Sequence, residues 1–154
     1  MWNHSSQAAW AFAAGAGIPI MASLNGSLSR ALGSAMAACV VLFAVGLVCA
    51  AAALLASGTA GALTQIIHSP WHLALGGVIV AFYILSVTIL APAFGVGNTI
   101  LFVMIAQILV SAAIDHFGLF GAVVRPVGAV RATGLLLMIA GLAVAQFGAQ
   151  KGPL

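Results

Sequence analysis

Only five side chains in this 154-residue chain carry a permanent charge: Arg30, Asp115, Arg125, Arg131 and Lys151. Soluble domains carry roughly 25% charged residues, whereas here 3% are charged and 64% are hydrophobic. Such a surface would not stay in water as a monomer, so the chain reads as an integral membrane protein. A membrane-spanning helix takes about 20 mainly apolar residues. The length therefore allows five or six spans with short loops and leaves no room for a soluble domain. The expected architecture is an all-α membrane protein, a single transmembrane domain over 1–154. Its spans are expected at about 7–28, 35–55, 71–91, 98–117 and 132–148.

Each class of polar residue narrows the function further. The four cations are scattered and form no patch for nucleic acid. Cys39 and Cys49 are ten residues apart in one apolar run. On a helix that separation is about 15 Å, too far for a disulfide, and both read as buried structural thiols. His4, His68 and His72 lie near segment ends with no second ligand at metal spacing, and His116 adjoins Asp115 on a helix without having to share its site, so no metal and no cofactor is expected. With one acid and scattered histidines, no nucleophile–base pair can be assembled, and the chain does not read as an enzyme. Met1–Gln7 contains no Lys or Arg and four more apolar segments follow, so the first span is expected to be retained rather than cleaved.

Along the chain, the first segment is interrupted by Gly15, Gly17 and Pro19. Helix-weakening residues at mid-membrane depth mark either a site or a proline kink packed on a neighbour. Trp10, Gly17, Met21 and Asn25 share one face of it at 100° per residue. The second segment is apolar packing, and residues 63–68 read as a short interfacial piece. The third starts at Pro70-Trp71-His72, where interfacial aromatics anchor a helix; Gly76-Gly77 suits close helix approach, and Tyr83 and Ser86 form its polar face. Pro92–Asn98 reads as a tight loop with Asn98 capping the fourth helix.

Five spans place the termini on opposite sides of the membrane. Arg125 and Arg131 then fall on the amino-terminal side, and Arg30 and Lys151 on the other. Orientation is normally set by an excess of Lys and Arg on the cytoplasmic side, and here the excess is zero. A balanced chain inserts both ways, and the two forms pair head to tail, as an unfused version of a transporter's inverted repeats. The expected partner is therefore a second copy in opposite orientation, within the lipid bilayer.

Three stretches carry a resemblance: Asn25-Gly-Ser-Leu-Ser-Arg-Ala-Leu-Gly-Ser34, Pro70-Trp71 to Gly76-Gly77, and Ala106-Gln107 to Asp115-His-Phe-Gly-Leu-Phe-Gly121. They resemble the YdcZ-like family of small bacterial inner-membrane proteins, within the drug/metabolite transporter superfamily. The resemblance covers nearly the whole chain. It implies five helices per chain, inverted-repeat assembly and, in some members, dual topology. Two positions depart from the family's pattern. Met21 stands where members usually carry glutamine, which removes an amide from segment one, and Ala106 stands for a glycine, which crowds a packing surface. The related small multidrug resistance proteins use a carboxylate in their first helix, and segment one here has none. Neutral, zwitterionic or anionic solutes therefore suit this chain better than lipophilic cations.

The polar stripe of the fourth segment weighs most for function. Gln107, Ser111 and Asp115 are spaced by four and should face the protein interior or a water-filled cavity. Gln107 either binds solute near the midplane or makes an interhelical hydrogen bond. Asp115 sits near a helix carboxyl end, where the macrodipole disfavours it. It is read as a structural ion pair or a gate with Arg125, Arg131 or the partner's Arg30. The expected substrate surface is Gln107, Asn25, Trp10, Met21, Tyr83, Ser86 and Ser111. The reading is a small-solute transporter working by alternating access in an antiparallel homodimer. The alternatives are a non-transporting membrane scaffold and one half of a heterodimeric transporter.

Overall fold

A computed structural model describes residues 3–149, with the side chains of Phe147 and Ala149 outside that description. Lys151, one of the four cations in the topology argument, also lies outside the described residues. Among the described residues five helices are long and apolar enough to cross a membrane, the third span being counted from Trp71: α1 (His4–Leu32), α2 (Ala35–Ala56), α3 (Gly76–Phe94), α4 (Val96–Phe117) and α5 (Ala129–Ala149). Among the described residues there is no strand. Short 3₁₀ turns at Ala60–His68 and Trp71–Leu75 lead into α3.

The helix ends follow their capping residues. The Asn3 side chain accepts from the Ser6 N–H at 2.8 Å and opens α1. Gly33, in the left-handed region at φ +65°, closes it. The Gly33 and Ser34 N–H groups bond back to the carbonyls of Arg30 and Ser29, which satisfies two orphan acceptors of the last turn. Ser34 then caps α2 through the Ala37 N–H at 3.2 Å, so two residues suffice to join α1 and α2.

Two expectations from the sequence change here. The first segment is one continuous helix through Gly15, Gly17 and Pro19. Proline removes a single i to i−4 bond, and the rest of this 29-residue helix carries the ladder past it. The expected loop at Pro92–Asn98 shrinks to Gly95. Pro92 lies inside α3, and Gly95 at φ +91° donates to the Ala91 carbonyl. Asn98, expected as a cap, therefore lies within the first turn of α4.

The chain divides into two compact units, at Met1–Val96 and Gly97–Leu154. In the first, α1, α2 and α3 pack on one another. Ala22 and Gly26 of α1, Ala38 and Cys39 of α2, and Val87 and Ala91 of α3 are buried between them. Small residues let helix backbones approach closely in lipid, where packing replaces the hydrophobic effect as the main attraction. In the second unit, α4 and α5 are joined by residues 118–128, and the apolar window of α5 is 0% buried within the chain.

Candidate functional site

In the first unit the polar centre is a junction of three helices. Asn25 of α1 is 4% exposed and Thr88 of α3 is 2% exposed. The Asn25 amide Nδ2 donates to Thr88 Oγ1, and Thr88 Oγ1 in turn donates to the Ile84 carbonyl at 2.7 Å. The Cys39 thiol of α2 lies 3.5 Å from the same hydroxyl and 3.8 Å from the Asn25 amide. Asn25 also borders an apolar cleft of about 330 Å³, with Met21 and Leu28 of α1 and Val41 and Val45 of α2 around it. Met21 is half-buried there, while Trp10, fifteen residues before Asn25 on α1, is 70% exposed. Cys49, expected buried, is exposed on the surface of α2.

Thr88 and Cys39 complete this junction and were not foreseen as polar partners. The available signal was spacing. Thr88 follows Ile84 by four and precedes Ala91 by three, which puts a hydroxyl on the buried stripe of α3. Tyr83 and Ser86, the polar pair foreseen on this helix, are both half-buried. The Tyr83 hydroxyl is buried without a hydrogen-bond partner among the described residues. A buried polar atom without a partner calls for a bound group or water to supply one.

In the second unit Gln107 sits at the middle of α4 with its side chain exposed, and no hydrogen bond joins it to any described residue. One turn on, Ser111 is also exposed and donates to its own helix at the Ile108 carbonyl, 3.0 Å away. Gln146 of α5 contributes a second amide, with Oε1 buried and without a partner among the described residues, beside an apolar cleft of about 200 Å³ lined by Leu101, Ile105 and Leu142.

The carboxyl end of α4 is tied to the linker that follows it. Arg131 Nη2 donates to Asp115 Oδ2 at 2.7 Å. The Arg125 N–H donates to the Asp115 carbonyl at 2.7 Å, and the Arg125 carbonyl accepts from Arg131 Nη1 at 3.4 Å. His116 Nδ1 accepts from the Val127 N–H at 3.0 Å, so that nitrogen carries the imidazole lone pair. Gly118 makes the reversal possible. Its φ is +63°, and a Cβ there would stand 2.6 Å from Val124 Cγ2. The Asp-His-Phe-Gly run thus works as a knot. The acid binds the arginine, the imidazole binds the linker backbone, and the glycine turns the chain back on itself.

A protein-family model described as "Putative inner membrane exporter, YdcZ" matches residues 7–144. The chain belongs to the YdcZ family. The match runs from the first turns of α1 into α5 and includes both the three-helix junction and the knot. No curated protein and no solved structure matches the chain. Membership of an exporter family, together with five apolar helices, makes this YdcZ-family chain a multi-pass inner-membrane protein with a transporter-like role.

Proposed function

We propose that this chain is one half of a small-solute exporter, working by alternating access as an antiparallel, dual-topology homodimer that binds solute near the membrane midplane. Gln107 carries the reading. An unsatisfied amide at mid-span is costly in lipid, and this one is exposed at the middle of α4 with no partner among the described residues. Polar groups at that depth face a bundle interior or an aqueous cavity, so a second protein surface covers Gln107 and leaves it free to meet solute. Tyr83, with its unpartnered hydroxyl, and Ser86, Ser111, Trp10, Met21 and Asn25 make up the rest of the proposed surface.

The antiparallel pairing rests on charge balance. If all five helices span, Arg30 and Lys151 oppose Arg125 and Arg131, and no excess of cations fixes orientation. An antiparallel pair reproduces the inverted-repeat plan, in which the two repeats rock around a fixed midplane site.

The test is solute counterflow in liposomes across a broad panel, paired with carboxyl-terminal topology reporters in cells. The reading expects flux that Gln107→Ala abolishes, and reporter signal on both sides of the membrane. A single orientation overturns the homodimer in favour of a heterodimer. Absence of flux for every solute leaves a scaffold.

A further inference from the structure

We infer that the cleft between the carboxyl-terminal halves of α1 and α3 is a binding site for a phosphate or carboxylate group, held by Arg30 with help from Ser27. The inference concerns binding at one chain's own residues and does not depend on transport.

The argument begins with charge. Asp115 is the one Asp or Glu side chain in the sequence, and Arg131 already holds it within the second unit. Arg30, in the first unit, therefore has no carboxylate side chain left for it. A guanidinium presents five N–H donors, and the acceptor that Arg30 meets is Ser27 Oγ, 2.9 Å from Nη2.

The direction of the side chain matters as much. Arginines near helix ends in membranes usually reach out to the interface. Helical side chains lean toward the amino terminus, and on α1 that direction leads back into the span. Arg30 follows it, so that Nη1 lies 3.9 Å from the point where a Cβ on Gly26 would stand. Gly26 is buried, and the Pro92 ring of α3 approaches the same point to 3.4 Å. A larger residue at 26 would fill the floor of the cleft.

The result is a recess of about 170 Å³, lined by Ser23, Ser27 and Arg30 on α1, by Ala91 and Pro92 on α3, and by Val96 at the start of α4. One water needs roughly 10–15 Å³ by this kind of measure, so an oxyanion has room. The facing wall of Ala91, Pro92 and Val96 is apolar and offers the exposed Arg30 no counter-charge. The Ser34 and Gly33 N–H groups bond to the carbonyls of Ser29 and Arg30 at the end of α1. A planar fork of donors matches the paired oxygens of carboxylate and phosphate, and the Ser27 and Ser23 hydroxyls stand beside it. The anion is either a soluble one or the headgroup of an anionic lipid.

Native mass spectrometry on the purified full chain, with inorganic phosphate, succinate and phosphatidylglycerol as separate probes, decides it. Charged hydrogen bonds imply that the wild type retains at least one probe about tenfold more tightly than Arg30→Gln. Arg30→Lys, which keeps the charge and loses the fork, should fall between the two. Ser27→Ala should weaken retention by about threefold, and Arg125→Gln, a charge-matched change elsewhere, should leave it unaltered. Retention of phosphate or succinate identifies a soluble anion, and retention of phosphatidylglycerol alone identifies a lipid headgroup. Equal retention by wild type and Arg30→Gln overturns the proposal. So does an equal loss in Arg125→Gln, or a wild type that holds none of the three. If Arg30→Gln does not fold, the Ser27→Ala and Arg30→Lys comparisons stand in its place.

Discussion

Arg131 Nη2 lies 2.7 Å from Asp115 Oδ2, closing an ion pair between the end of α4 and the first turn of α5. The pair is reinforced by the backbone bond from Arg125 to the Asp115 carbonyl, so the acid is engaged through both its side chain and its main chain. The macrodipole penalty on a carboxylate at a helix carboxyl end is thereby offset by a guanidinium at contact distance.

Asp115→Asn should lower stability only modestly. The two side chains remain 38% and 35% exposed, and pairs in such settings contribute about 1 kcal/mol or less. For a chain of this size that is a melting shift of about 2–4 °C, measured by thermal denaturation in detergent. Solute flux should survive. A loss of flux at an unchanged melting temperature would instead give Asp115 a gating role.

Gly118→Ala should cost more. A left-handed conformation costs an L-residue about 1–2 kcal/mol, and the new methyl would meet Val124 Cγ2 at 2.6 Å. Adding Val124→Ala should recover the steric part and leave the conformational part. A melting series of the two single variants and the double variant separates them, and equal values for Gly118→Ala with and without Val124 would refute the clash.

Much of this was legible in the sequence, and the limits have physical causes. The five helices could be read because apolar runs of membrane length are separated by strong breakers such as Gly33-Ser34 and Pro70. The loop expected at Pro92–Asn98 is longer than the one observed because Pro92 and Gly95 look alike as punctuation. A proline tolerates the last turn of a helix, whereas Gly95 at φ +91° ends it. Thr88 was passed over because a single hydroxyl in an apolar run can bond to its own helix, and only packing reveals that Asn25 also reaches it. For Asp115 the sequence offered Arg125, Arg131 and the partner's Arg30 alike. The choice within the chain is made by the Gly118 reversal, whose geometry is not written in charge spacing.

Thr88→Val keeps the shape and removes the hydroxyl that both accepts from Asn25 and donates to Ile84. The Asn25 amide is then left buried with the weaker Cys39 sulfur. Interhelical hydrogen bonds in membranes average about 0.6 kcal/mol and reach roughly 1.7, so a loss near the upper figure is expected. Thr88→Ser should stay close to wild type. Unfolding titrations in sodium dodecyl sulfate distinguish the two, and a Val variant as stable as wild type would show that the junction contributes nothing.

Gln107→Ala should have the opposite profile, with melting unchanged or raised and flux abolished. No described residue depends on this amide, so its removal leaves no orphan among them. A large fall in melting with unaltered counterflow would identify Gln107 as glue between copies.

Orientation offers a further check. Adding two lysines to residues 122–124 should bias insertion toward one orientation, because cations near span ends hold their side in the cytoplasm. Flux should then fall in cells making that variant alone. It should return on co-expression with a variant biased the other way, and flux unaffected by either change would exclude the antiparallel pair.

The Asn25–Thr88 bond joins positions 63 residues apart, and this separation sets an order of biogenesis. The hairpin of α1 and α2 can close once α2 has followed the Gly33-Ser34 turn, since that turn is local. It then holds an amide whose strongest partner has not yet been synthesised, with the Cys39 sulfur, 14 residues along, as its first neighbour. Only when α3 leaves the insertion machinery does the hydroxyl arrive and lock the trio. Until then the Asn25 amide has only the thiol beside it, so the α1–α2 hairpin reaches its final packing only with α3 in place.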